Sequence, residues 1–116
     1  MKLSEIAARL RLQCLTPELS LEGCEVAGGH ASDLLSDVLA NAPRDSILVT
    51  IQVHMNVLAV AVHAGLAAVV FAAGRVPEDA VRAKAIEEQV PLFTTSASAF
   101  DVAGELYALG LRGRRG

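Results

Sequence analysis

The sequence predicts an α/β domain of three layers: a mostly parallel sheet of about four or five strands, with helices on both faces. Three observations lead there. Short apolar runs alternate with amphipathic stretches of helical length along most of the chain. Several runs, Ala67 to Phe71 above all, are apolar at every position, as strands covered on both faces are. Finally, 53% of the 116 residues are hydrophobic while only 3% are aromatic, which gives one domain an aliphatic core.

Leu3, Ile6, Ala7 and Leu10 form a helical stripe behind Ser4 and Glu5, so the chain opens with a short helix. Leu12 to Leu15 reads as a strand. Pro17, Ser20 and the Glu22-Gly23 pair make a turn, followed by a second strand at Cys24 to Ala27 that Gly28-Gly29 ends. Ser32 or Asp33 can cap a helix running through Ala40, Asn41 to Asp45 form a loop, and Ser46 to Val53 is a β-rich run. Asn56 can cap the next helix, which Gly65 stops. After the Ala67 to Phe71 strand comes Gly74, then Pro77 at a first helical position opens a helix ending near Gln89. Leu92 to Thr94 is the last strand. Ser98 and Asp101 have capping-box spacing, and they start a helix in which Phe100, Ala103, Leu106, Tyr107 and Leu109 fall near one face until Gly110. The expected organisation is one domain over residues 1–111 and a flexible basic tail over 112–116.

The residue inventory removes several function classes. A formal charge of −3, no Trp and one Tyr give neither phosphate attraction nor base-stacking platforms, so nucleic acid is not an expected partner. The longest apolar run, Val57 to Ala73, is broken by His63 and Gly65, so no membrane span is expected. The N-terminus carries Lys2, Glu5, Arg9 and Arg11 rather than a secretory signal, which makes the cytoplasm the expected location. Cys14 and Cys24 are expected as reduced core thiols. His30, His54 and His63 have no ligand spacing, so neither a metal nor another cofactor is expected. The only lysines are Lys2 and Lys84, no Walker-type loop exists, and no G-x-G-x-x-G follows a strand.

Chemistry in an open α/β sheet collects where strands end and helices begin, because backbone N–H groups and helix dipoles point there. On the expected elements this selects Gly28, Gly29, His30, Ser32 and Asp33; Gln52, His54 and Asn56; Gly74 and Arg75; and Thr94, Thr95 and Ser96. Caps and turns explain the glycines, Ser32, Asn56 and Ser98. They do not explain Gln52, His54 and Arg75, whose polar heads make the rim a candidate site for a small anionic or nucleotide-like ligand. No catalytic residues are assigned.

The run Leu66-Ala67-Ala68-Val69-Val70-Phe71-Ala72-Ala73-Gly74-Arg75-Val76-Pro77-Glu78, then Val90-Pro91-Leu92-Phe93-Thr94-Thr95 and the Ser98-Ala99-Phe100 helix start, resembles the DRTGG domain. It is also similar to the N-terminal, non-catalytic domain of HPr kinase/phosphorylase. The resemblance covers most of the chain, and Glu25 to His30 with Ser32 to Asp37 look most like stand-alone DRTGG-type proteins. The chain departs from the family at the eponymous string, where it has Ala72-Ala73-Gly74 and keeps only the turn glycine.

The resemblance implies a regulatory or dimerising role beside enzymes such as phosphotransacetylases, CBS-containing pyrophosphatases and HPr kinases. The expectation is therefore a non-catalytic module, a homodimer that senses a nucleotide or anionic metabolite or docks on a partner enzyme. The alternative is an interaction or scaffold module without a small ligand. A serine-kinase-related enzyme would need the phosphate-binding lysine loop that is missing.

Overall fold

The computed structural model describes residues 1–114. Its elements are helix α1 (Leu3–Arg9), strands β1 (Gln13–Cys14) and β2 (Gly28–Ala31), helix α2 (Leu35–Asn41), β3 (Ser46–Thr50), α3 (Asn56–Ala64), β4 (Ala68–Phe71), α4 (Asp79–Glu88), β5 (Leu92–Thr94) and α5 (Ala99–Ala108). The sheet order is β1-β5-β4-β3-β2, with β2 to β5 parallel and β1 antiparallel to β5. The fold class is the expected one.

Each step from β2 to β5 moves one place across the sheet in the same direction. Crossovers between parallel strands keep one hand, so successive steps in one direction place their helices on one face. Val38 of α2, Val57, Leu58 and Ala61 of α3, and Val81 and Ala85 of α4 accordingly pack on Leu48, Val69, Phe71 and Leu92. The opposite face carries Ile47, Val49, Ala68, Val70 and Phe93, covered by Leu3 and Ile6 of α1 and Val102 and Leu106 of α5. Strands β3, β4 and β5 are buried at every position, their apolar residues together with the polar ends Ser46, Thr50 and Thr94.

The second strand is not where the apolar pattern put it. Residues Cys24 to Ala27 lie outside the sheet, held by bonds from Leu3 N to the Cys24 carbonyl (2.9 Å) and from Val26 N to the Met1 carbonyl (2.8 Å). The strand is Gly28–Ala31, paired with Ser46 to Val49 of β3. The glycines do not make a turn, and neither has a positive φ. Gly28 admits a close backbone neighbour: a Cβ there would lie 2.7 Å from the Arg112 carbonyl oxygen.

Cap expectations fared unevenly. Ser98 Oγ accepts from Asp101 N at 3.1 Å, as predicted. Gly65 ends α3 with φ 66°. Neither Ser32 nor Asp33 caps α2, which is preceded by Leu34, and Asn56 is the first residue of α3 rather than its cap. Pro77 lies two residues before α4, and the Ser46 to Val53 run is a strand only to Thr50. Along α5 the buried side chains are Val102 and Leu106, whereas Phe100 is 86% and Tyr107 59% exposed. Val102 and Leu106, four residues apart, are the stripe that joins the core with Ile47, Val49 and Phe93, which leaves Phe100 and Tyr107 off that stripe.

Cys14 and Cys24 are free, half-buried thiols against the α1/α5 core. Of residues 112–116, Arg115 and Gly116 lie outside the described residues. Arg112 to Arg114 run beside β2: the Arg112 carbonyl accepts from Gly29 N at 3.0 Å. The Arg112 guanidinium sits 3.6 Å from the Tyr107 ring centre and donates to the Tyr107 carbonyl. Arg114 donates to Asn41 Oδ1 at 2.7 Å and reaches the Ala40 carbonyl. Two last-turn carbonyl groups, one on α5 and one on α2, are thus held by arginines on either side of the sheet's border. No described helix is long and apolar enough to cross a membrane.

Candidate functional site

Strands β2 to β5 end along one rim, at Ala31, Thr50, Phe71 and Thr94. A crevice forms in such sheets where neighbouring strands send their following helices to opposite faces. That condition is met between β4, which leads to α4, and β5, which leads to α5. Here the two exits are laced together. Ala73 N donates to the Ala97 carbonyl (2.7 Å) and Gly74 N to the Thr95 carbonyl (2.8 Å), with Ala73 and Gly74 both left-handed at φ 57° and 69°. Thr94 Oγ1 donates to the Arg75 carbonyl at 2.7 Å, and Thr95 Oγ1 accepts from Ala97 N at 3.2 Å. Both threonines are therefore occupied in holding the loops, while Ser96 and the Arg75 side chain are exposed. Arg75 forms no ion pair among the described residues.

The β3 exit is organised from Asp33. One of its carboxylate oxygens accepts from Thr50 Oγ1 (2.9 Å) and from Ile51 N (2.8 Å). Thr50 Oγ1 in turn accepts from Gln52 N, Gln52 Oε1 from His54 N, and His54 Nδ1 from Asn56 N, at 3.0, 3.2 and 3.1 Å. Thr50, Gln52 and His54 each bond a backbone N–H two residues further on, so a short loop is fixed largely by its own side chains. Because Nδ1 accepts, the neutral imidazole of His54 carries its proton on Nε2.

Beyond this loop lies a groove of about 430 Å³ lined by Gln52, Val53, His54, Met55, Glu78 and Val81. Gln52 and His54 share it. Glu78, Val53, Met55 and Val81 were not legible as site residues, although Glu78 directly follows Pro77 and so falls at the start of α4. Arg75 is not part of the lining.

Gly28, Gly29 and His30 sit elsewhere. Gly28 pairs with Ser46 at the beginning of β3, the end of the sheet away from the rim. His30 Nε2 bonds Asp37 Oδ2 at 2.9 Å on the α2 face, and Asn41 Nδ2 donates to Asp37 Oδ1 at 2.8 Å. Hydrogen bonds from Asn41, then His30, then Ser32 hold the Asp37 carboxyl down at about 2, below its ordinary 3.8. Ser32 Oγ also accepts from Leu34 N. On the other face of β2, a cavity of about 140 Å³ is lined by Gly29, Val49, Ala103, Leu106, Tyr107 and Arg112 among others. Among the described residues no three His, Cys, Asp or Glu side chains gather as a metal set.

No family model matches the chain, and neither does any curated protein. Its fold is similar to a crystal structure of the CBS and DRTGG domains of the regulatory region of Clostridium perfringens pyrophosphatase, in complex with the activator diadenosine tetraphosphate. The TM-score is 0.68 at 12% identity, over 96% of this chain and 47% of that one. The chain thus spans about half the length of that structure. At this identity the likeness concerns the fold alone: a five-stranded α/β architecture similar to part of that structure.

Proposed function

We propose that the chain is a non-catalytic, cytoplasmic regulatory module that binds a nucleotide or anionic metabolite at the rim and transmits binding to a partner enzyme or a second copy of itself. The observation that carries this reading is the fold shared with a regulatory region whose activator is diadenosine tetraphosphate. The rim supports it: Gln52 and His54 line an open groove, and Arg75 and Ser96 lie exposed on loops that leave the same end of the sheet. The remaining proposed contacts are Asn56 and the Gly74, Thr94 and Thr95 backbone, with Asp33 and Ser32 behind them.

The test is calorimetric titration of the full chain with diadenosine tetraphosphate, ATP, AMP and acetyl phosphate. Saturable binding weakened by Arg75→Ala supports the reading. No heat and no thermal shift with any of the four overturns it.

A second reading, a module that meets a protein without a small ligand, is favoured by one observation. Phe100 on α5 is 86% exposed, and a large aromatic side chain standing that open is of the kind enriched in protein contacts. Light scattering of the wild type and of Phe100→Ser separates self-association through α5 from a monomer.

A further inference from the structure

The rim groove has the wrong charge for a phosphate. Its lining contains a carboxylate, Glu78, and no Lys or Arg, and Arg75 lies outside it. Glu78 forms no ion pair among the described residues, and its side chain makes no capping bond to α4 although it occupies the cap position. The positive end of the α4 dipole favours an acid at this position, and the carboxylate still faces the groove without a side-chain partner among the described residues. A bare anion in this groove would meet like charge, so the carboxylate selects a ligand group that donates hydrogen bonds.

The other walls narrow the choice. His54 offers an Nε2–H donor, since its Nδ1 is taken by Asn56 N. Gln52 offers its amide NH₂, since Oε1 is taken by His54 N. Val53, Met55 and the buried Val81 supply an apolar floor. An apolar floor, two side-chain donors and one carboxylate acceptor match a flat heterocycle bearing ring acceptors, joined to a group with vicinal hydroxyls. At about 430 Å³ the groove has room for such a unit.

We infer that this groove takes the nucleoside part of a nucleotide, with the base on Val53, Met55 and Val81 and Glu78 accepting from the sugar hydroxyls or an exocyclic amine. Any phosphates then lie outside the groove. The inference rests on the sensing function proposed above and specifies which part of the ligand this site reads.

The experiment titrates the full chain with adenosine, guanosine, AMP and inorganic tripolyphosphate, and follows backbone amide shifts. A nucleoside is expected to bind with shifts centred on residues 52–55 and 78–81, and tripolyphosphate is expected to give no such shifts. Glu78→Gln keeps the shape and removes the charge, and it should weaken nucleoside binding about tenfold with the melting temperature unchanged. Three results overturn the inference: tripolyphosphate binding in place of nucleosides, shifts centred away from the groove, or Glu78→Gln binding as well as the wild type. The first of these leaves the sensing function standing. Silence from every ligand, diadenosine tetraphosphate included, removes both.

Discussion

Asp33 and Thr50 are seventeen residues apart in sequence, yet the carboxylate of one accepts the hydroxyl proton of the other at 2.9 Å, and this bond closes the end of the β2/β3 pair. Thr50 is fully buried, and the same Asp33 oxygen also accepts from Ile51 N. Asp33→Ala leaves two donors without their acceptor, a loss of about 1–3 kcal/mol. Urea unfolding should show that shift in midpoint, with Asp33→Asn losing less because its amide oxygen still accepts.

Gly28→Ala is expected to act on the last described residues rather than on the strand itself. The new methyl meets the Arg112 carbonyl at 2.7 Å, and a backbone oxygen cannot rotate away. The segment must lift, giving up the Gly29 N bond to Arg112, at a cost of about 1–3 kcal/mol. Limited trypsinolysis after Arg112 should become markedly faster than in the wild type.

Asp37 links stability to acid. Its carboxyl titrates near 2 in the folded chain and at its ordinary 3.8 when unfolded, so it stabilises the fold at pH values above about 4. That contribution fades as the pH falls from 4 toward 2, because the protonated acid loses its charge-assisted bonds from Asn41 and His30. Melting temperature against pH should decline over that interval in the wild type and decline less in Asp37→Asn.

His54 and Arg75 are expected to differ in stability. His54→Ala removes the acceptor for Asn56 N at the start of α3, the equivalent of losing a helix cap, at about 0.5–2 kcal/mol. Arg75→Ala removes an exposed side chain and should stay within about 0.5 kcal/mol. Paired thermal melts check this. Affinity changes in the His54 variant must be read at temperatures where it is fully folded.

The central strands were legible because they are short, mainly apolar runs: Leu92 to Thr94 is a strand at the predicted bounds, and Ala67 to Phe71 shifts by one residue. The caps were legible where one residue has one local partner, as Ser98 has in Asp101. They failed where a side chain reaches across the fold. Asp33 looks like a cap for α2 but bonds β3, and no local pattern encodes that choice. The Gly28-Gly29 pair failed for a related reason. A turn glycine and a close-approach glycine are the same letter, and only the Arg112 carbonyl tells them apart. Gln52 and His54 were visible as polar heads without a capping role, whereas Glu78 hid in the charged opening of a helix, where acids are ordinary.

Strand order also bears on how the chain reaches this structure. Strands β2, β3 and β4 each pair with the strand next made, so those contacts close over short stretches of backbone. β1 is different: Gln13 meets Thr94, eighty-one residues later, and only once β5 has been made. Refolding is therefore expected to proceed in two unequal stages, a rapid zippering of the βα units and a later docking of the first two dozen residues, because distant pairings carry the larger entropic delay. In hydrogen exchange the amides around β1 should open first and those of β3 and β4 last.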